Sequence, residues 1–148
     1  MKGVTDSDYA YIAGLWDADG SYVIAKHFAK TKHCGKRGWI WELRMTIGMK
    51  ETQGLDFVKR KFGKNRLRVS TLKSGTKFYH LTLYSNELRQ ILPKIIKHAK
   101  VKKKQAELLY KAVSIIGPKS DKKVDAKLER MYLKMKKLNN SLSRHPAR

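Results

Sequence analysis

Two aspartates, Asp17 and Asp19, stand two residues apart in Trp16-Asp17-Ala18-Asp19-Gly20, and here residue type and spacing suggest chemistry. The residues before them carry a helical period, so both carboxylates fall at a helix C-terminus. The helix dipole already presents partial negative charge there, which disfavours acidic side chains. The chain has twelve Asp and Glu against thirty-four Lys and Arg, so placing two carboxylates at this point breaks a local preference. Such departures gather at functional sites. Hard carboxylate and carbonyl oxygens suit Mg2+. One carboxylate does not make a metal site, but two copies of Asp19 brought together by a twofold axis would. That arrangement fits two-metal hydrolysis of a phosphodiester. A plain Asp-x-Asp-Gly surface turn fits the same residues, and spacing leaves both readings open.

The charge balance points to a polyanionic partner. A net charge of +22 in 148 residues is costly in self-repulsion unless it is neutralised, and nucleic acid is the usual counterpart. Membrane-binding basic segments are tails or single amphipathic helices, whereas here the charge runs through the whole chain. No apolar run approaches the roughly 18 residues of a membrane span, and the N-terminus lacks a signal-peptide core. A lone cysteine, Cys34, permits no internal disulfide and implies a reducing interior, cytoplasmic or the matrix of an organelle. His33-Cys34 lacks the second pair that structural zinc needs, and no Gly-rich phosphate loop or nucleophile elbow is present, so no small-molecule substrate is expected.

The elements that must position these groups follow from periodicity. Thr5 and Asp8 form a capping-box pattern ahead of a helix carrying Tyr9, Ile12 and Trp16 on one stripe. A second stripe, Ala10, Ala13, Gly14 and Asp17, is small enough for another backbone to approach closely, and is expected to form a dimer interface. After Gly20 the chain turns to β-formers, then through a hairpin at residues 31–38 into a long alternating strand, Trp39, Trp41, Leu43, Met45, Ile47 and Met49. A short helix around Leu55, Val58 and Phe62 follows. A second hairpin pairs residues 66–72 with 76–84 across Lys73-Ser74-Gly75, with Leu67 and Val69 facing one way, as do Tyr79, Leu81 and Leu83. Asn86 is expected to cap a helix that Pro93 ends or kinks. Another helix runs from the basic stretch at 100–104 through Leu108, Ala112 and Ile116. A last one carries Val124, Leu128, Met131, Met135 and Leu138. The class is α+β in a single domain, 1–148. A core unit is expected over 5–116, a C-terminal helix over 121–140 and a frayed tail over 141–148.

Residues 12–20, Ile-Ala-Gly-Leu-Trp-Asp-Ala-Asp-Gly, resemble the signature of the LAGLIDADG homing endonucleases, Leu-Ala-Gly-Leu-Ile-Asp-Ala-Asp-Gly. Seven of the nine positions agree and the other two exchange one apolar residue for another. Ser21-Tyr22 and the element order extend the likeness across about 5–116. The resemblance implies an αββαββα fold with a four-stranded antiparallel DNA-binding sheet per subunit. It implies an intron-encoded, site-specific nuclease using Mg2+ or Mn2+. One motif copy implies a homodimer on a long pseudo-palindromic double-stranded DNA target, cutting one phosphodiester on each strand. Asp19 corresponds to the metal-binding acid and the Ala18 carbonyl to the backbone ligand beside it. Lys102, in Lys102-Lys103-Lys104-Gln105-Ala106, corresponds to the basic residue near the scissile phosphate. Asp17 corresponds to a helix-end and interface residue. The family commonly has a polar residue, often Gln, at the end of the second strand; Met49 stands there, with Lys50 as the substitute. An intron-splicing maturase, or a non-cleaving nucleic-acid binder, would share the same scaffold.

Strand alternation selects a face for DNA. A two-stranded ribbon fits the major groove, where base edges are distinguishable. Arg44, Arg66 and Arg68 are the expected readers, sharing a face with Glu42, Thr46, Ser70 and His80. If Tyr22 and Ile24 enter the core, His27 faces DNA, with Lys26, Lys30 and Lys32 near the strand edge or hairpin tip. Lys50, Lys73 and Lys103 complete the expected DNA contacts.

Overall fold

The computed structural model describes residues 3–28, 38–62, 67–117 and 121–143. Helix α1 (Asp6–Asp19) leads into strand β1 (Gly20–Phe28), followed by β2 (Trp39–Met49) and α2 (Gln53–Phe62). Strands β3 (Leu67–Thr71) and β4 (Lys77–Tyr84) come next, then α3 (Ser85–His98), α4 (Lys103–Ile115) and α5 (Lys122–Ser143). The expected capping box starts α1: Thr5 Oγ1 accepts from the Asp8 N–H at 3.2 Å and Asp8 Oδ2 accepts from the Thr5 N–H at 2.8 Å.

The four strands form one antiparallel sheet in the order β1-β2-β4-β3. Its sides are set by alternation. Tyr22, Ile24, Trp41, Leu43, Met45, Ile47, Leu81 and Leu83 point to one face and are buried there. Helices α1, α3, α4 and α5 cover that face, contributing Ile12, Trp16, Leu88, Ile91, Leu92, Ile95, Leu109, Val113 and Leu128. Burying each such side chain is worth about 1.5–3 kcal/mol, so this layer carries most of the stability. Among the described residues, no helix lies against the other face.

One local expectation is corrected and another narrowed. Asn86 does not cap α3; the helix begins at Ser85, and Glu87 Oε2 accepts from the Tyr84 N–H at 3.0 Å. Of the two outcomes expected at Pro93, ending is excluded, since the helix continues through it to His98. Buried Leu88, Ile91, Leu92 and Ile95 lie on one stripe across the proline, and their burial offsets the single hydrogen bond it removes. Leu67 and Val69 share a side with Tyr79 and Leu81 as expected, and Leu67 packs on the core, but Val69 is 55% exposed because β3 is an edge strand extending beyond the helical layer.

The turn between β3 and β4 follows its composition. Gly75 takes φ +81°, a left-handed conformation that glycine reaches without a steric cost, and the Leu72 and Thr76 backbones close the loop at 2.9 Å. Helix α5 runs to Ser143, past the expected boundary at 140.

Candidate functional site

Asp19 is the last residue of α1 and is exposed, whereas Gly20, where β1 begins, is buried. Gly20 has an ordinary φ of −84°, so conformational freedom is not what requires it. Space is. A Cβ there would lie 2.3 Å from Trp16 Cδ1 and 2.7 Å from Trp16 Cα. The missing side chain lets the chain leave the helix tightly over the buried indole, which holds the Asp17-Ala18-Asp19 carbonyls and carboxylates at one end of the sheet.

Helix α4 enters the same place. The Asp17 carboxylate accepts the backbone N–H groups of Lys100 at 2.6 Å, Val101 at 3.0 Å and Lys102 at 2.9 Å. Lys102 is the N-cap residue of α4 and the other two donors lie in the connection just before it, so the acid that sits badly at the end of α1 sits well at the start of α4. Burial pushes the Asp17 carboxyl up, but the three N–H donors and the charge of Lys102 outweigh it and hold the group below the usual carboxylate value. The Lys102 ammonium then folds back, donating to the carbonyls of Trp16 at 3.1 Å, Ala18 at 3.2 Å and Gly20 at 2.7 Å. Burial lowers its pKa from the ordinary lysine value, against the opposing pull of Asp17 and Asp19. A cation at the negative end of α1 neutralises the dipole that Asp17 and Asp19 would otherwise aggravate.

A cleft opens beside this junction, lined by Asp17, Ala18, Gly20, Ser21, Lys102 and, from α5, Asn139. Asn139 Nδ2 donates to the Tyr22 carbonyl at 3.2 Å, tying the end of α5 to β1. Sequence reasoning missed this residue, because the late part of α5 reads as polar and frayed. The donors at this end of α1 are all oxygen: the exposed Asp19 carboxylate and the Ala18 carbonyl, which also accepts from the Lys102 ammonium at 3.2 Å. That chemistry fits a hard divalent cation, and one carboxylate per chain falls short of a complete set. Among the described residues no cluster of three His, Cys, Asp or Glu side chains could hold a metal.

The open sheet face presents the second set of groups. Register places Val23 opposite Arg44, Ala25 opposite Glu42 and His27 opposite Ile40, so His27 shares a face with Glu42, Arg44 and Thr46. Thr46 pairs with Thr82, Gly48 with His80, and His80 with Arg68 across β2, β4 and β3. Glu42 bonds the Arg44 guanidinium and lies 3.7 Å from His27 Nδ1. Ser70 Oγ and His80 Nε2 are 2.9 Å apart, and the Thr46 and Thr82 hydroxyls 3.2 Å apart. His27, Glu42, Arg44, Arg68 and Tyr84 line one shallow depression.

Solved structures superpose on this architecture over most of its length. The homing endonuclease I-CvuI, in complex with its target in the presence of 2 mM Ca, aligns with 90% of this chain and 82% of its own at a TM-score of 0.71 and 18% identity. The archaeal intron-encoded homing endonuclease I-Vdi141I, complexed with DNA, aligns over 90% and 84% at 0.70 and 21% identity. The homing endonuclease I-TnaI aligns over 91% and 95% at 0.69 and 15% identity. The chain has the LAGLIDADG homing-endonuclease fold. No family model matches the sequence and no curated protein matches it, so the likeness is one of fold at low identity.

Within this homing-endonuclease fold, the expected site residues separate by location. Asp19, the Ala18 carbonyl and Lys102 come together. Glu42, Arg44, Thr46, Arg68, Ser70, His80 and His27 share the open face. Lys50 is exposed just beyond β2, Lys73 lies at the exposed tip of the second hairpin and Lys103 is the exposed first residue of α4. Lys26 is a correction. It faces the helical layer, paired with Glu129 of α5 and lying 5.0 and 5.3 Å from the Trp39 and Trp41 ring centroids, because Tyr22 and Ile24 set the phase of β1. Lys30, Lys32 and Arg66 fall outside the described residues.

The small stripe of α1 divides. Ala13 is fully buried in the chain's own core and Asp17 is engaged by α4, whereas Gly14 is exposed and Ala10 half-buried. A Cβ on Gly14 would meet nothing within 4 Å. The exposed surface of α1 therefore runs through Ala10, Gly14 and Ala18, beside half-exposed Tyr11. No helix among the described residues is long and apolar enough to cross a membrane.

Proposed function

We propose that this chain is a site-specific homing endonuclease that works as a homodimer on double-stranded DNA, using a divalent cation such as Mg2+ or Mn2+. The observation that carries the reading is the junction itself: an exposed Asp19 at the end of α1, beside a lysine held in place by Asp17. A protein that only bound nucleic acid gains nothing from a carboxylate near phosphate. The structures similar in fold include enzymes in complex with DNA, and one of them, I-CvuI, is described with 2 mM Mg and DNA not cleaved.

In this reading each subunit lays its open sheet face along the major groove of a half-site. Arg44, Arg68, Ser70, His80 and Thr46 offer donors and acceptors to base edges and phosphates, with Glu42 fixing the direction of Arg44. The exposed Ala10/Gly14/Ala18 side of α1 packs against its own copy, which brings two Asp19 carboxylates together. Asp19 and the Ala18 carbonyl would hold the cation. When bound, such a cation lowers the pKa of water and stabilises charge on the phosphate. Lys102 places a second positive charge at the same spot, where an ammonium stabilises charge that grows in the transition state.

Asp19→Asn tests the assignment. It should abolish cleavage of a plasmid library in Mg2+ while duplex binding persists. Full cleavage by this variant would refute the role of Asp19. Binding without cleavage by the unaltered chain would favour a maturase or other binder on the same fold.

A further inference from the structure

We infer that α5 carries a second nucleic-acid surface, separate from the open sheet face, which holds a sugar-phosphate backbone through a stripe of cations. Lys123, Lys127, Arg130, Lys134 and Lys137 recur at spacings of four, three, four and three, so they lie on one side of the helix. All five are exposed. Lys111 of α4 joins Lys127, Arg130 and Lys134 around a groove floored by Leu108 and Met131.

Three features set this stripe apart from a plain solvated face. Among the described residues, no ion pair or hydrogen bond engages any of the five side chains. The carboxylates of α5 are turned the other way: Asp125 accepts from Trp41 Nε1 at 3.0 Å and Glu129 pairs with Lys26, both on the sheet. Like charges three and four apart on a helix repel and destabilise it by about 0.2–0.5 kcal/mol per pair, a cost that a bound polyanion removes. At about 1.5 Å per residue the stripe spans roughly 21 Å. That length matches roughly six phosphates of one strand at about 3.4 Å each.

The stripe lies on the helical layer, so a duplex seated on the open face does not occupy it. The partner is identified by its phosphates; DNA and RNA both supply them, and the test separates the two. The inference uses the proposed function solely to assign the open face to the target.

The probes are a fluorescent 20-base-pair duplex of arbitrary sequence and a fluorescent RNA hairpin of about 20 nucleotides, titrated by anisotropy across a salt series. The stripe variant combines Lys127→Gln, Arg130→Gln and Lys134→Gln. A control of equal charge combines Arg60→Gln, Lys94→Gln and Lys97→Gln on α2 and α3. On the probe that uses the stripe, the stripe variant should lose about 2–3 from the log-log salt slope, whereas the control loses less than about 1. Arg130→Gln alone should lose about a third as much, with an unchanged melting temperature. A loss on the duplex assigns DNA and a loss on the hairpin assigns RNA. Equal slopes for stripe variant and control on both probes would overturn the inference. Asp19→Asn should keep the full slope on both probes, so the nuclease reading and the stripe fail independently.

Discussion

The backbone N–H of Lys102 donates to Asp17 Oδ1 at 2.9 Å, and the ammonium of the same residue donates to the Trp16 carbonyl at 3.1 Å, so the end of α1 and the start of α4 each supply what the other lacks. Neither helix end is properly capped alone. Together they set where Asp19 and Lys102 stand relative to one another.

Removing the acceptor should cost stability first. Asp17→Ala leaves the Lys100, Val101 and Lys102 N–H groups without their partner, at about 1–3 kcal/mol in urea unfolding. Cleavage should fall further than stability does, because Lys102 loses its anchor. An Asp17→Ala protein that is fully folded and fully active would show that the junction does not position the site.

Lys102→Met should lower the rate constant for cleavage by about 10²–10³-fold, the usual cost of deleting one stabilising group from a charged transition state. Duplex affinity should change by less than tenfold, since one cation among many is lost. Single-turnover cleavage and a binding titration on the same duplex separate the two effects.

Gly14 and Gly20 should respond oppositely to added atoms. Gly14→Ala meets nothing in its own chain and should raise monomer stability by up to about 1 kcal/mol, as glycine is poor inside a helix. Gly14→Leu should block the proposed pairing of α1 helices, read as a shift from dimer to monomer by sedimentation. Gly20→Ala drives its Cβ into Trp16 and should cost about 1–3 kcal/mol, read as a lower denaturation midpoint.

Glu42→Gln removes the charge that directs Arg44 and faces His27. Selection from random duplexes should then show relaxed preference at one or two base pairs per half-site, with about 1–3 kcal/mol of discrimination lost there. Unchanged specificity would remove Glu42 from the readout.

Acid sensitivity should be partly traceable to Asp8. Its hydrogen bonds from Lys61, at 2.8 Å, and from the Thr5 backbone hold its carboxyl below the usual value of 3.8. A depressed carboxylate pKa contributes stability above the unfolded value, and that contribution is lost as pH falls through the folded one. The urea midpoints of the native chain and Asp8→Asn should therefore differ at pH 7 and draw together as pH falls below the usual value of 3.8. A gap that stays the same size at every pH down to acid unfolding would assign the effect to something other than this charge.

The amino-acid sequence by itself determined the elements and their inner sides: the Thr5–Asp8 cap, the alternation from Trp39 to Met49 and the glycine turn at residue 75 are local, governed by period and backbone preference. It also marked Asp19 and Lys102, through a motif and a basic run. Tertiary structure alone decided what those groups do for one another. That Asp17 accepts from the N-cap residue of a helix 85 positions later, that Lys26 turns to Glu129, that Ala13 is buried and Gly14 is not, and that Pro93 is carried through α3 all depend on which surfaces pack together. Packing sums many weak contacts between residues remote in sequence, and no single stretch of the chain contains that sum.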